Sequence, residues 1–170
     1  MGELLKLELD GVLDRAEYFD AAANRAQDLS PVFEHAHDRF LHEIAQQFLQ
    51  EGRFFGDGWE PLNPEYAAQK LKLFGPAPST MGILYRTGRL FEALSNEGAD
   101  EHVKVVTPQS GTFGAVVPYG KYHQRGTSKG GKVLMPQRII IAMRNRFKRD
   151  TFRASVAYIL RGRLPEDGEQ

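Results

Sequence analysis

The chain has 170 residues, 41% of them apolar and 26% charged, a usage that fits one ordinary globular domain and excludes both wholesale disorder and a coiled-coil rod. It contains no cysteine, which removes disulfides, thiolate nucleophiles and cysteine-based zinc or iron–sulfur sites together. The formal net charge of zero conceals a division: residues 1–101 carry 18 acidic and 9 basic side chains, residues 102–164 carry 13 basic side chains against Asp150 alone, and Glu166, Asp167 and Glu169 follow.

Such a split suggests either a polyanion contact or a surface complementary to a second copy of the chain, set against the plainer reading of charges that interleave and neutralise within one subunit. No apolar run approaches the ~20 residues of a membrane span, the densest being Ile139–Met143. Glu3 stands where a signal peptide wants positive charge, and Lys6 where a myristoylation motif wants Ser or Thr. Neither secretion, a lipid anchor nor a membrane partner is expected, and synthesis should be cytoplasmic.

Leu4, Leu5, Leu7 and Leu9 alternate with polar residues, as a half-buried strand does. From Val12 the period lengthens, and Val12, Ala16, Phe19, Ala23 and Ala26 share one face of a helix over about 12–28. Ser30-Pro31 then reads as an N-cap followed by proline at the first helical position. Phe33, His37, Phe40, Ile44 and Phe48 form a single stripe behind it until Gly52, predicting a long helix over about 31–51.

Gly56-Asp57-Gly58 is a loop that delivers Trp59, the only tryptophan, as an anchor. Asn63-Pro64 repeats the cap-plus-proline signal for a short helix over 65–74, and Pro76 and Pro78 break it. Thr87 should cap a two-turn helix that faces Leu90, Phe91 and Leu94 inward. His102–Thr107 and Thr112–Val117, on either side of Pro108-Gln109-Ser110-Gly111, read as a β-hairpin. Tyr119–Gln124 fits one helical turn. The segment 125–132 has no apolar residue and three glycines, the composition of a mobile surface loop. Val133–Met135 and Ile139–Ile141 can add one or two strands. Asp150 or Thr151 should cap a last helix whose Phe152, Val156, Ile159 and Leu160 share a face, and residues 163–170 should fray. The pattern predicts an α+β fold in which a small, mostly antiparallel sheet packs against a long helix, with additional short helices.

Sites for chemistry are weak in this sequence. Gly126-x-x-x-x-Gly131-Lys132 resembles a phosphate-binding loop, but Val133 replaces the magnesium-binding hydroxyl and Pro136 obstructs the helix that should follow. His35 and His37 diverge on a helix, His42 points away from the apolar stripe, and no pair has the i, i+4 spacing of a helical zinc site. His102 and His123 could be neighbours across the hairpin. Tyr119, His123, Arg125 and Thr127 lack a nearby acid other than Asp150, so a structural corner in which Gly126 supplies a positive φ is the better reading. No catalytic, cofactor-binding or metal-binding residue is assigned. The basic residues Arg125, Lys129, Lys132, Arg138, Arg144, Arg146, Lys148, Arg149 and Arg153 are the candidate interface, facing another subunit, a ring lumen or the phosphates of passing DNA.

Three short stretches in order, Leu84-Tyr-Arg-Thr87-Gly88-Arg-Leu90, then Tyr119-x-x-x-His123-Gln124-x-Gly126-Thr127, then Pro136-x-Arg138, preceded by Trp59-x-Pro61-Leu62, resemble the virion morphogenesis family of tailed phages, the Mu-like tail-completion proteins. The resemblance covers about residues 30–142. It departs after Arg138, where members often continue Pro-Phe-Leu-Gly and this chain has Ile139-Ile-Ile-Ala142. It implies one tail-completion-like domain over 1–170, with an N-terminal strand and helix (1–29), a core (30–142) and a basic C-terminal helix and tail (143–170). It further implies a structural, non-enzymatic virion protein without cofactors, assembled in the bacterial cytoplasm. Such proteins work at the neck as a tail terminator, six copies forming a ring that meets the tail tube protein on one side and the head connector or stopper protein on the other. The alternative function is a basic module that contacts DNA during packaging or ejection.

Overall fold

The structure, a computed structural model, describes residues 12–76 and 82–165; the expected strand at Leu4–Leu9 lies outside them. The fold is α+β, with helices α1 (Val12–Gln27), α2 (Ser30–Leu49), α3 (Pro64–Phe74), α4 (Arg89–Ser95), α5 (Gly120–Arg125) and α6 (Asn145–Arg161). Strands β1 (His102–Thr107) and β2 (Ser110–Ala115) form one antiparallel pair, and β3 (Thr127–Lys129) and β4 (Lys132–Met135) another. None of these helices is long and apolar enough to cross a membrane.

Helix α2 is the axle. The hairpin β1–β2, α4 and α6 all pack on it, so His37, Ile44 and Phe48 from the expected stripe are buried, and Val32, Ala36, Glu43 and Gln47 on other faces are buried too. Its first turn differs from expectation. Ser30 lies inside the helix, Leu29 precedes it without a side-chain cap, and Asp28 instead accepts the Ser30 N–H at 2.9 Å. At the far end Gly52 (φ +93°) lies under Trp59, where an added Cβ would stand 2.5 Å from the indole Cδ1. Only glycine satisfies both demands. Ile44, Phe48, Trp59, Ile83, Leu90, Leu94, Val117 and Ile140 meet in the core at this end of α2.

Asn63 caps α3 as the sequence suggests, accepting from the Glu65 and Tyr66 N–H groups. Thr87 does not cap α4. Gly88 does, at φ +82°, because Tyr85 packs where a side chain would project. The first hairpin turns over Pro108 and Gln109, with Thr107 opposite Ser110, two residues tighter than expected. Its tip is tied to the α1–α2 corner by Leu29 N donating to Pro108 O at 2.9 Å.

Three expectations are corrected. The segment 125–132 is an ordered hairpin arm, because Gly130 (φ +57°) and Gly131 (φ +78°) supply the paired left-handed residues of a two-residue turn that suits strand twist. Helix α6 begins at Asn145, so Asp150 and Thr151 are interior, and the Thr151 hydroxyl bonds back to Phe147 O. The apolar faces of α1 and α6 point outward. Phe19 is 66% and Phe152 67% exposed, whereas Ala22 and Ala154 are buried, because small residues let these helices approach their neighbours closely.

Candidate functional site

The residues of the three sequence signatures converge on one interlocked region. The segment Arg138–Ile141 is not in a strand, yet side chains engage the Ile139 carbonyl, the Ile140 N–H and both backbone groups of Ile141. Gln124 Oε1 accepts from Ile140 N (2.7 Å) and Ile141 N (3.0 Å), and its Nε2 donates to Ile141 O (2.9 Å). Trp59 Nε1 (2.8 Å) and Gln47 Nε2 (2.6 Å) both donate to Ile139 O, and Arg138 N donates to His123 O at 2.8 Å. Gln124 and Trp59 thus do the work of a missing neighbouring strand, satisfying groups that burial would otherwise strand. Gly126 (φ +70°) completes the corner, since a Cβ there would stand 2.9 Å from Gln137 N. Thr127 pairs with Met135 at the base of the arm.

Beside this clamp runs a groove of about 650 Å³. Leu62, Thr87, Gly88, Leu90, Tyr119, His123, Pro136 and Arg138, drawn from all four stretches, line it, while Pro61 lines a smaller recess next to it. Lys70 donates to Gly82 O, and Glu51 Oε1 accepts from Gly82 N and Ile83 N at 3.1 Å each, fixing the groove's edge. Arg86 stacks over Phe74 at 5.0 Å. Tyr119 and His123 meet edge to face at 6.1 Å. Burial, and then the charge of Arg138, hold the His123 imidazole below its ordinary pKa, so it is neutral near pH 7. No acid of the described residues lines the groove, and the acid–base relay that Tyr119 and His123 would need is not assembled.

Arg138 departs from the other candidate cations. It is 6% exposed, donating from Nε (3.3 Å) and Nη2 (3.0 Å) to Glu60 O, so it belongs to the groove floor and not to a surface patch. Arg144, Arg146, Lys148 and Arg149 gather at the start of α6, with Arg144 over the Phe54 ring at 5.0 Å. Arg144 and Arg146 border a cleft of about 500 Å³ shared with His35, Asp38, Arg39, His42 and Glu43 of α2. Asp150 is their local acid: Arg39 reaches it at 3.0 Å, Arg146 at 3.6 Å and Arg149 at 3.9 Å. Burial pushes the Asp150 carboxyl up, but the Arg39 hydrogen bond and the three guanidiniums outweigh it and leave the pKa below its ordinary value. Among the described residues Arg125, Lys129, Lys132, Arg144, Lys148 and Arg153 meet no carboxylate within 4.0 Å. Among the described residues, the cations after residue 101 that pair with a carboxylate are Lys104, with Glu34 and Glu97, and Arg146 and Arg149, with Asp150.

The histidines pair differently from expectation. His102 meets His37, Nε2 to Nε2 at 2.9 Å, and its Nδ1 faces Ala93 O at 2.9 Å. A carbonyl only accepts, so His102 carries its proton on Nδ1 and receives the His37 Nε2–H. His37 is fully buried with Nδ1 unpartnered; burial first, and the Lys104 charge next, lower its pKa. No cluster of three metal-binding side chains occurs among the described residues. Compared with protein-family models, curated proteins and solved structures, the chain matches none.

Proposed function

We propose that this chain is a structural subunit of the tailed-phage neck, a tail-completion or tail-terminator protein whose copies join side by side in a ring between the tail tube and the head connector. The observation that carries the reading is the unpaired charge: among the described residues Arg125, Lys129, Lys132, Arg144, Lys148 and Arg153 meet no carboxylate within 4.0 Å, on a chain whose first 101 residues carry the acidic excess. Closed rings use heterologous contacts, one face of each subunit against a different face of the next, and opposite charges supply the required complementarity. Exposed Phe19, Val133, Leu134, Met143 and Phe152 offer the apolar area that such contacts bury. The order of the signature stretches supports the phage family as the source.

Native mass measurement with electron microscopy of the purified protein tests the reading: annular particles of a single stoichiometry, about six copies on the family resemblance, are expected, and a monomer at every concentration would overturn it. The cations at the start of α6 favour a second reading, non-specific DNA contact. That reading expects a mobility shift at low salt that vanishes steeply as salt rises.

A further inference from the structure

The groove contains a buried cation, Arg138, whose charge is countered among the described residues by the Glu60 carboxylate, which lies beyond ion-pair distance. Among the described residues the Arg138 side chain donates only to the Glu60 carbonyl, and no carboxylate reaches it within 4.0 Å. A guanidinium removed from water calls for a paired charge, because a single carbonyl dipole offsets only part of its desolvation. Beside it the buried His123 Nδ1 also has no partner. Arg86 adds a cation along the same groove, beside Lys70, which donates to Gly82 O, and Arg89, which pairs with Glu101, and Leu62, Leu84, Tyr66 and Tyr85 give it an apolar, aromatic wall. The complement of this surface is an extended peptide with a few apolar residues followed by carboxylates.

One segment of the chain has that composition: Leu164-Pro165-Glu166-Asp167-Gly168-Glu169. It follows α6, whose end is stitched to the last turns of α1 by Arg25 Nε donating to Ile159 O at 2.8 Å. That places its departure near the start of α2, while the groove borders the core at the other end, around Phe48 and Leu90. Val32 to Phe48 alone covers about 24 Å at 1.5 Å per residue. A fully extended chain carries residue 167 at most about 18 Å and residue 169 about 25 Å from Gly162, too little to lay the whole segment along its own groove.

We propose that residues 164–169 of one copy occupy the groove of the next, their carboxylates against Arg138 and Arg86 and Leu164 and Pro165 on the tyrosine wall. The contact leaves from one end of a subunit and enters the other, so it propagates head to tail; it rests on the ring reading and names one of its interfaces.

The test uses the full chain and a full-length variant carrying Glu166→Gln, Asp167→Asn and Glu169→Gln. Sedimentation velocity at low and high salt reads assembly, and calorimetric titration of the variant with a synthetic peptide of residues 161–170 reads the groove. The neutralised variant should need at least tenfold more protein to assemble. The acidic peptide should bind it at least tenfold more tightly than a neutralised peptide, and Arg86→Glu in the groove should cost a further tenfold. Rings that persist in the variant, with no difference between the peptides, overturn the tail contact and leave the ring reading standing. A full chain that stays monomeric while the acidic peptide still binds overturns the ring reading and leaves the groove assigned. Binding of a peptide of residues 1–11 in preference to the tail overturns the choice of occupant.

Discussion

Replacing Gln124 separates a strand surrogate from a mere space-filler. Gln124→Leu keeps the volume but removes both acceptor contacts and the donor. Ile140 is 2% exposed, so its N–H would be left in the core without water, whereas Ile141 is exposed and water can replace its lost partners. An orphaned buried donor costs about 1–3 kcal/mol and each lost exposed bond about 0.5 kcal/mol, for a total of about 2–4 kcal/mol. For a chain of this size that corresponds to a fall in Tm on the order of 10 °C. Gln124→Glu retains the acceptors for Ile140 N and Ile141 N and loses only the donation to Ile141 O, so about 1 kcal/mol is expected. Urea titration at neutral pH followed by Trp59 fluorescence measures both. Equal midpoints for the Leu and Glu variants, or a Leu variant within ~0.5 kcal/mol of the parent as for a neutral surface change, would refute the clamp.

Gly52→Ala should destabilise by about 3 kcal/mol, from backbone strain at φ +93° and collision with Trp59, visible in the urea midpoint together with a shifted tryptophan emission. Acid should weaken the fold: the folded pKa of His37 lies below its ordinary 6.5, so the unfolded chain binds the proton first, and stability present above about pH 6.5 is lost as pH falls through the depressed value. His37→Gln, which keeps a donor toward His102, should show a shallower loss of urea midpoint between about pH 7.5 and 5, although His123 adds to the same slope; an unchanged slope would assign the acid sensitivity elsewhere. Asp150→Asn should cost about 1 kcal/mol at low ionic strength and much less in ~1 M salt, and a loss independent of salt would show that packing, not charge, holds α6 on Arg39.

The elements most legible in the sequence were those with a strong local cause. The Phe33–Phe48 stripe and the Asn63-Pro64 signal gave α2 and α3, and the Val- and Thr-rich runs on either side of Pro108 gave the first hairpin. The orientation of α1 and α6 was not legible, because Phe19 and Phe152 outweigh Ala22 and Ala154 in any hydropathy pattern, while helix approach is governed by the small residues. Val133–Met135 is legible as a strand, but 125–132 reads as loop because it carries no apolar residue; only the Gly130-Gly131 pair announces the turn. Within the candidate site, the sequence marks Trp59, Gln124 and Pro136 as members of ordered short stretches but gives no sign that they converge. The burial of Arg138 was not legible either, since charge alone assigns an arginine to the surface. Nor was the pairing of His37 with His102, which lie 65 residues apart, or the role of Gln47, a polar residue with no local mark of its buried partner.

The shared Ile139 carbonyl has a consequence for biosynthesis. Its donors Trp59 and Gln47 lie 80 and 92 residues upstream, and contacts of such long sequence separation close late in folding. A nascent chain halted before residue 139 already holds the Trp59 loop against the end of α2, through Trp59 N to Glu51 O (2.7 Å) and Phe55 N to Gln47 Oε1 (2.9 Å), but leaves Trp59 Nε1 and Gln47 Nε2 without the acceptor that joins them. Products that end before residue 139 therefore lack this shared acceptor and should be less stable than the full chain.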